Sequence, residues 1–115
     1  MTVEIDPVLA DAAAARLSAH DFSNVQVEVG DGSRGWSPEM MFDAIVLTWS
    51  TPILPDTVAA QLKPGGRLFA IVGTEPAMHG RLLTRDEAGE VSYRDLFETV
   101  VAPLVNALQP ERFVF

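Results

Sequence analysis

Two nearly continuous apolar runs constrain this chain more than anything else in it: Phe42-Asp43-Ala44-Ile45-Val46-Leu47-Thr48 and Arg67-Leu68-Phe69-Ala70-Ile71-Val72-Gly73. Strands that are apolar at successive positions, rather than alternate ones, are buried on both faces, as central strands of a parallel sheet are. Between them, Pro52 and Pro55 mark a turn, and Asp56 reads as the cap of a short helix running to Leu62. Lys63-Pro64-Gly65-Gly66 ends that helix sharply.

The flanking segments extend the same pattern. Thr2-Val3-Glu4-Ile5 reads as the end of a strand, Asp6 as an N-cap, and Pro7 as the first helical residue, where no backbone N–H is needed. Val8, Leu9, Ala12, Ala13, Arg16 and Leu17 recur at helical spacing, which predicts a helix to about Ala19. Val25-Gln26-Val27-Glu28-Val29 alternates as a strand does, and Gly30-Asp31-Gly32 stops it. Ser33 to Met41 reads as irregular. Arg81 to Arg85 and Ser92 to Val101 read as paired strands around Asp86-Glu87-Ala88-Gly89, and Asn106 to Phe115 as a docked tail. The order is β-α-β-β-α-β followed by a β-pair, an α/β sheet finished by an antiparallel hairpin. The whole of 1–115 reads as one partial domain, with βα units over 1–73 and the β-pair and tail over 74–115.

Charge and residue usage exclude several functions. With a net charge of -8, one lysine and seven arginines, the chain lacks the basic footprint that nucleic acid or an anionic membrane surface requires. It has no cysteine, so disulfides, thiolate metal sites and a cysteine nucleophile are excluded. Two histidines do not make a histidine-rich metal centre. No apolar run reaches membrane-spanning length and no leader pattern follows Met1, so a cytoplasmic setting is expected.

Ligands of open α/β sheets bind beyond the carboxyl ends of the strands, where an acid commonly accepts hydrogen bonds from ribose hydroxyls. Glu4 stands at such an end. By itself it reads better as a solvated acid near a helix N-terminus, stabilised by the helix dipole. Asp31 lies between two glycines past the next strand and is suited to accept from an adenine amino group. An ordinary Gly-Asp-Gly turn is the plain alternative. The two acids on adjacent strand ends are more specific than either alone. Thr48 to Pro55 (TWSTPILP) follows the strongest strand and reads as polar cleft lining, since no histidine is placed to activate a hydroxyl. Trp36 and Trp49 have the π faces to stack on a ligand, although tryptophan more often packs against a loop. No catalytic residue is assigned.

Taken in order, VEIDP, GDGSRGW, FDAIVLTWSTPILP and QLKPGGRLFAIVG resemble the second half of a protein-L-isoaspartate O-methyltransferase. QLKPGGRL is shared with many class I methyltransferases. The combination of GDG, a loop ending in Gly-Trp and a strand leading to Ile-x-Pro is more specific to this family. The resemblance implies a Rossmann-like methyltransferase sheet and use of S-adenosylmethionine. It also implies methylation of isoaspartyl carboxylates in damaged proteins, the first step of their repair, with isoaspartyl proteins or peptides as partners. It implies that Glu4 binds the cofactor ribose, that Ile5, Asp31 and Gly32 lie at the adenine, and that Thr48 borders the cofactor. Trp49, Ser50, Thr51 and Pro52 would face substrate, in a place where the family usually has small residues.

The family's first strand and its glycine-rich loop, of the type Glu-Ile-Gly-x-Gly-x-Gly, would precede Thr2 and are absent from this sequence. The fold expected is therefore a truncated sheet. In the class I order 3-2-1-4-5-7-6 the absent strand is central. The resulting gap would be closed by direct pairing of the strands beside it, by strand exchange in a homo-oligomer, or by a separate N-terminal piece. Methyl transfer by this chain alone is expected to be impaired. Two other readings compete: a non-catalytic oligomerising module derived from the fold, and a small-molecule methyltransferase or adenosine-binding module.

Overall fold

A computed structural model of the chain describes residues 1–111; the expected docking of Phe113-Val114-Phe115 lies outside them. The chain forms two compact units, Met1–Gly32 and Ser33–Phe115. The predicted element order holds throughout: β1 (Thr2–Glu4), α1 (Pro7–Ala19), β2 (Val27–Val29), β3 (Phe42–Thr51), α2 (Asp56–Ala59), β4 (Leu62–Thr74), β5 (Ala77–Arg85) and β6 (Val91–Thr99). No described helix is long and apolar enough to cross a membrane.

In the first unit β1 and β2 pair in parallel, with α1 connecting them. The cap of α1 is the one the sequence predicts: Asp6 Oδ1 accepts from Val8 N at 2.8 Å, and Pro7 opens the helix. The buried residue of α1 is Ala10, while Val8 and Leu9 are exposed. Helical spacing locates an apolar stripe but not which edge of it meets the sheet.

The second unit is a four-stranded sheet in the order β3-β4-β5-β6. β3 and β4 are parallel, and β5 and β6 are added antiparallel. This differs from the expected 5-7-6 order of the last strands. Thr74 pairs with Ala77 across only Glu75-Pro76, so the hairpin seats β5 directly against β4 and leaves no room for a strand between them. Among the described residues β1 pairs with β2 in one sheet and β3 with β4 in the other.

Three local expectations need correction. Asp56 is the first residue of α2, not its cap; the cap position is Pro55, which offers no side-chain acceptor, and α2 stops at Ala59. Leu62 already belongs to β4, paired with Phe42, and its carbonyl accepts from Arg85 Nη1 at 2.7 Å. Lys63-Pro64-Gly65-Gly66 thus forms a bulge in β4 opposite Asp43 rather than a helix stop, because Phe42 pairs with Leu62 while Ala44 pairs with Arg67. β3 also runs on to Thr51, and β6 ends at Thr99.

The core of the second unit lies under α2, where Val58, Leu62, Leu68, Ala70, Val72 and Leu83 are buried together. On the opposite face the Phe97 ring crosses Gly80 to meet Phe69, with ring centroids 6.0 Å apart. A Cβ on Gly80 would stand 2.5 Å from Phe97 Cζ, so a larger residue there would push the ring aside.

The β5–β6 ribbon is tied by Arg81, which donates from Nε to Asp95 Oδ1 at 2.7 Å and lies over the Tyr93 ring. The hydrogen bond from Arg81 holds the Asp95 carboxyl below its ordinary value of 3.8. A lowered carboxyl stabilises above its unfolded value and loses that contribution as pH falls through the folded one. An NMR titration of Asp95 is therefore expected to show a midpoint below 3.8, and Tyr93→Ala should leave it there while Arg81→Ala returns it upward.

Candidate functional site

The parallel register sets Glu4 opposite Val29, so both strands of the first unit end together. Gly30 N donates to Glu4 O at 3.0 Å, carrying the ladder one residue further and delivering Asp31 to the same end. Gly32 folds back onto Val3, with a built Cβ 3.4 Å from Val3 Cγ1. Glu4, Ile5, Asp31 and Gly32 are thus neighbours at one sheet end.

Glu4 is half-buried, and its Oε1 accepts from Asp6 N at 3.0 Å. That bond fixes the carboxylate near the start of α1. A carboxylate has about four lone-pair sites, so one N–H leaves capacity for a diol. Asp31 is exposed and Ile5 presents an apolar side chain, 40% exposed, beside them. Two acceptors beside an apolar surface match the donors of an adenosine, its ribose hydroxyls and exocyclic amine, on either side of a flat base.

In the second unit, β3 carries Thr48 and Trp49 exposed at its carboxyl end, while Ser50 and Thr51 are fully buried. Their hydroxyls are already engaged. Ser50 Oγ donates to Val101 O at 2.7 Å and Thr51 Oγ1 donates to Ile53 O at 2.6 Å. Ser50 N also donates to Ala102 O at 3.0 Å, and Leu104 N to Ser50 O at 2.7 Å. The segment 101–104 therefore lies along the end of β3 as a short parallel addition, bridged at Pro103. Pro52 is half-buried. Of the five residues expected along this stretch, Thr48 and Trp49 offer side chains to a ligand, while Ser50 and Thr51 build the wall behind them.

Ser50→Ala is expected to cost about 1–3 kcal/mol, because it leaves the Val101 carbonyl without its buried donor. Urea unfolding followed by far-UV circular dichroism measures that loss. An unchanged midpoint would show that water replaces the hydroxyl.

Sequence reasoning missed two parts of this architecture. One is the 101–104 addition, whose first residue, Val101, read as the end of the strand from Ser92. The other is Gln61, which is 5% exposed and holds the Trp36 loop. Gln61 Oε1 accepts from Trp36 N at 2.9 Å, and Nε2 donates to the carbonyls of Trp36, Ser37 and Met40 at 2.5, 2.9 and 3.1 Å. Gly35 stands 2.5 Å, by its built Cβ, from Gln61 Oε1 at a φ of 102°, so only glycine admits the amide there. A buried glutamine after a helical segment would be the signal for such an anchor. Among the described residues, no group of three or more histidine, aspartate or glutamate side chains is gathered in a way that could hold a metal ion.

The family model for protein-L-isoaspartate(D-aspartate) O-methyltransferase matches residues 1–109. The chain belongs to this family. It is 42% identical over 106 residues to protein-L-isoaspartate O-methyltransferase 1 of Rhodopseudomonas palustris strain HaA2, covering 91% of this chain and 43% of that protein. It is 40% identical to the Brucella anthropi protein-L-isoaspartate O-methyltransferase, over 91% of this chain and 49% of that one. The chain thus spans somewhat less than half the length of these curated relatives.

Among solved structures, it resembles a protein-L-isoaspartate O-methyltransferase with a TM-score of 0.77 at 22% identity, over 90% of this chain and 33% of that one. It also resembles a putative family member from Plasmodium falciparum in complex with S-adenosyl-L-homocysteine, with a TM-score of 0.73 at 16% identity. That match covers 90% of this chain and 50% of the other. The chain therefore shares part of the Rossmann-like methyltransferase fold of these structures.

Proposed function

We propose that this chain carries the adenosine-binding and acceptor-facing portion of an S-adenosylmethionine-dependent methyl transfer to isoaspartyl carboxylates in proteins. The observation that carries the reading is the convergence of Glu4 and Asp31 at the carboxyl ends of two parallel strands, in a chain matched to the family over residues 1–109. Glu4 would accept from the ribose hydroxyls, Ile5 would pack on the base, and Asp31 with Gly32 would meet its polar edge. Thr48 and Trp49 would border the cleft at the end of β3, and Pro52 would shape its rim. Bound S-adenosylmethionine would supply a methyl carbon on sulfonium sulfur; the already anionic carboxylate oxygen would bond to that carbon as the carbon–sulfur bond breaks, with neutral S-adenosylhomocysteine as the leaving group and no proton to remove. Positioning is accordingly the main task of the protein. That fits a site with no activated hydroxyl.

Calorimetric titration with S-adenosylhomocysteine tests the reading. Weak binding, above the micromolar range, is expected for the 115-residue chain. Glu4→Ala should weaken it a further tenfold or so, since hydrogen bonds to a charged group contribute about 1.5–3 kcal/mol. Binding that is indifferent to both Glu4→Ala and Asp31→Ala would refute the assignment of this sheet end.

A second reading, a module that assembles by strand pairing, is supported by the single-sided pairing of β3 over Ala44–Val46, where β4 is its one strand partner among the described residues. Light scattering after size exclusion separates the two. A monomer at high concentration counts against assembly.

A further inference from the structure

The register of β3 against β4 slips between Val46 and Ser50. Val46 pairs with Phe69 and Ser50 with Ile71, so Leu47, Thr48 and Trp49 stand opposite Ala70 alone. Bulges of this kind re-aim side chains, often beside binding sites. Here the bulge leaves Trp49 49% exposed. The backbone on its far side is fixed by Ser50, whose N–H, carbonyl and hydroxyl are all bonded to the 101–104 segment. Thr51 is closed on Ile53. An indole on an immobilised backbone loses little freedom when a ligand covers it, which is the condition for a pre-organised contact. The chain carries a net charge of -8, which favours approach of positive charge. Tryptophan is the best aromatic face for a cation, and the fold already makes one such contact, Arg81 over Tyr93 at 4.2 Å.

We infer that the Trp49 indole receives a cationic side chain, arginine or lysine, that flanks the isoaspartyl residue of the acceptor polypeptide. Trp49 would then select among acceptors by their flanking charge. This rests on the methyl-acceptor reading of the preceding subsection.

The test is fluorescence and NMR titration of the full chain, saturated with S-adenosylhomocysteine, with three isoaspartyl peptides flanked by arginine, norleucine or glycine. Trp36→Phe removes the second indole signal. The arginine-flanked peptide is expected to bind about fivefold tighter than the norleucine-flanked one, the size of a partly desolvated cation–π contact. Trp49→Ala should bring the arginine- and norleucine-flanked peptides to equal affinity, and Trp49→Phe should keep part of the difference. An unchanged urea midpoint for Trp49→Ala establishes that the fold is intact; if the midpoint falls, the comparison is made with Trp49→Phe against wild type. Equal loss for all three peptides, or no loss for any, overturns the inference alone. Failure of every isoaspartyl peptide to bind overturns the acceptor reading and the inference with it.

Discussion

A Gln61→Glu variant is expected to lose about 3–5 kcal/mol of stability at neutral pH, the cost typical of a buried charge left without a partner. The substitution is nearly isosteric, so packing does not decide the outcome. The wild-type amide donates to three carbonyls, of Trp36, Ser37 and Met40, and accepts from Trp36 N. A carboxylate keeps only the acceptor function and turns a negative oxygen toward carbonyl oxygens. Burial and those carbonyls both raise the pKa of the introduced group. Its penalty is therefore smallest below the unfolded glutamate value of about 4.3 and grows as pH rises above it. Urea unfolding at several pH values measures this. A deficit that is constant with pH would show that the carboxylate swings out to solvent. Hydrogen exchange should show opening concentrated at residues 36–40, ahead of the sheet.

Leu68→Ala is expected to cost about 3–5 kcal/mol, the upper part of the range for a leucine whose removal leaves a cavity that cannot collapse. Leu68 is fully buried and packs within the cluster of Val58, Leu62, Ala70, Val72 and Leu83. It sits on β4 between ladder partners on both sides, Ile45 and Leu83, so neither strand is free to move inward. The cluster is the core of a small unit, and domains of this size have only about 5–15 kcal/mol to lose. Thermal and urea unfolding of the whole chain should both report the loss. Leu82→Ala, on the other face and half-buried, serves as the comparison and should cost clearly less. Equal losses for the two would mean that the α2 face is not the main core.

Several features were legible because they depend on neighbours in sequence. Asp6 fixes the start of α1 by accepting from backbone N–H groups two and three residues on, and Pro7 opens the helix. Pro55, by contrast, shows the limit of such reading. The acid after it resembles a cap, yet it is helical, and α2 ends early because Leu62 is drawn into the ladder with Phe42. The candidate site divides along the same line. Glu4 and Asp31 were readable as strand-end acids, since one ends and the other follows a strand whose direction the βαβ order dictates. The different roles of Trp49, Ser50 and Thr51 were not readable. All three follow the same apolar run, and only the slipped register and the 101–104 segment send the first outward and bury the others.

By itself the sequence determined the order of the elements, their class, and the end of the parallel pair at which the acids lie. Apolar periodicity and cap chemistry act over a few residues and are written locally. Tertiary structure alone decided the β4-β5-β6 order, the anchoring of the Trp36 loop by Gln61, and the closing of Ser50 against Val101. Those contacts join residues 25 and 51 positions apart. A hydrogen bond over such a separation is fixed by which buried carbonyl is left without a donor once the strands have paired.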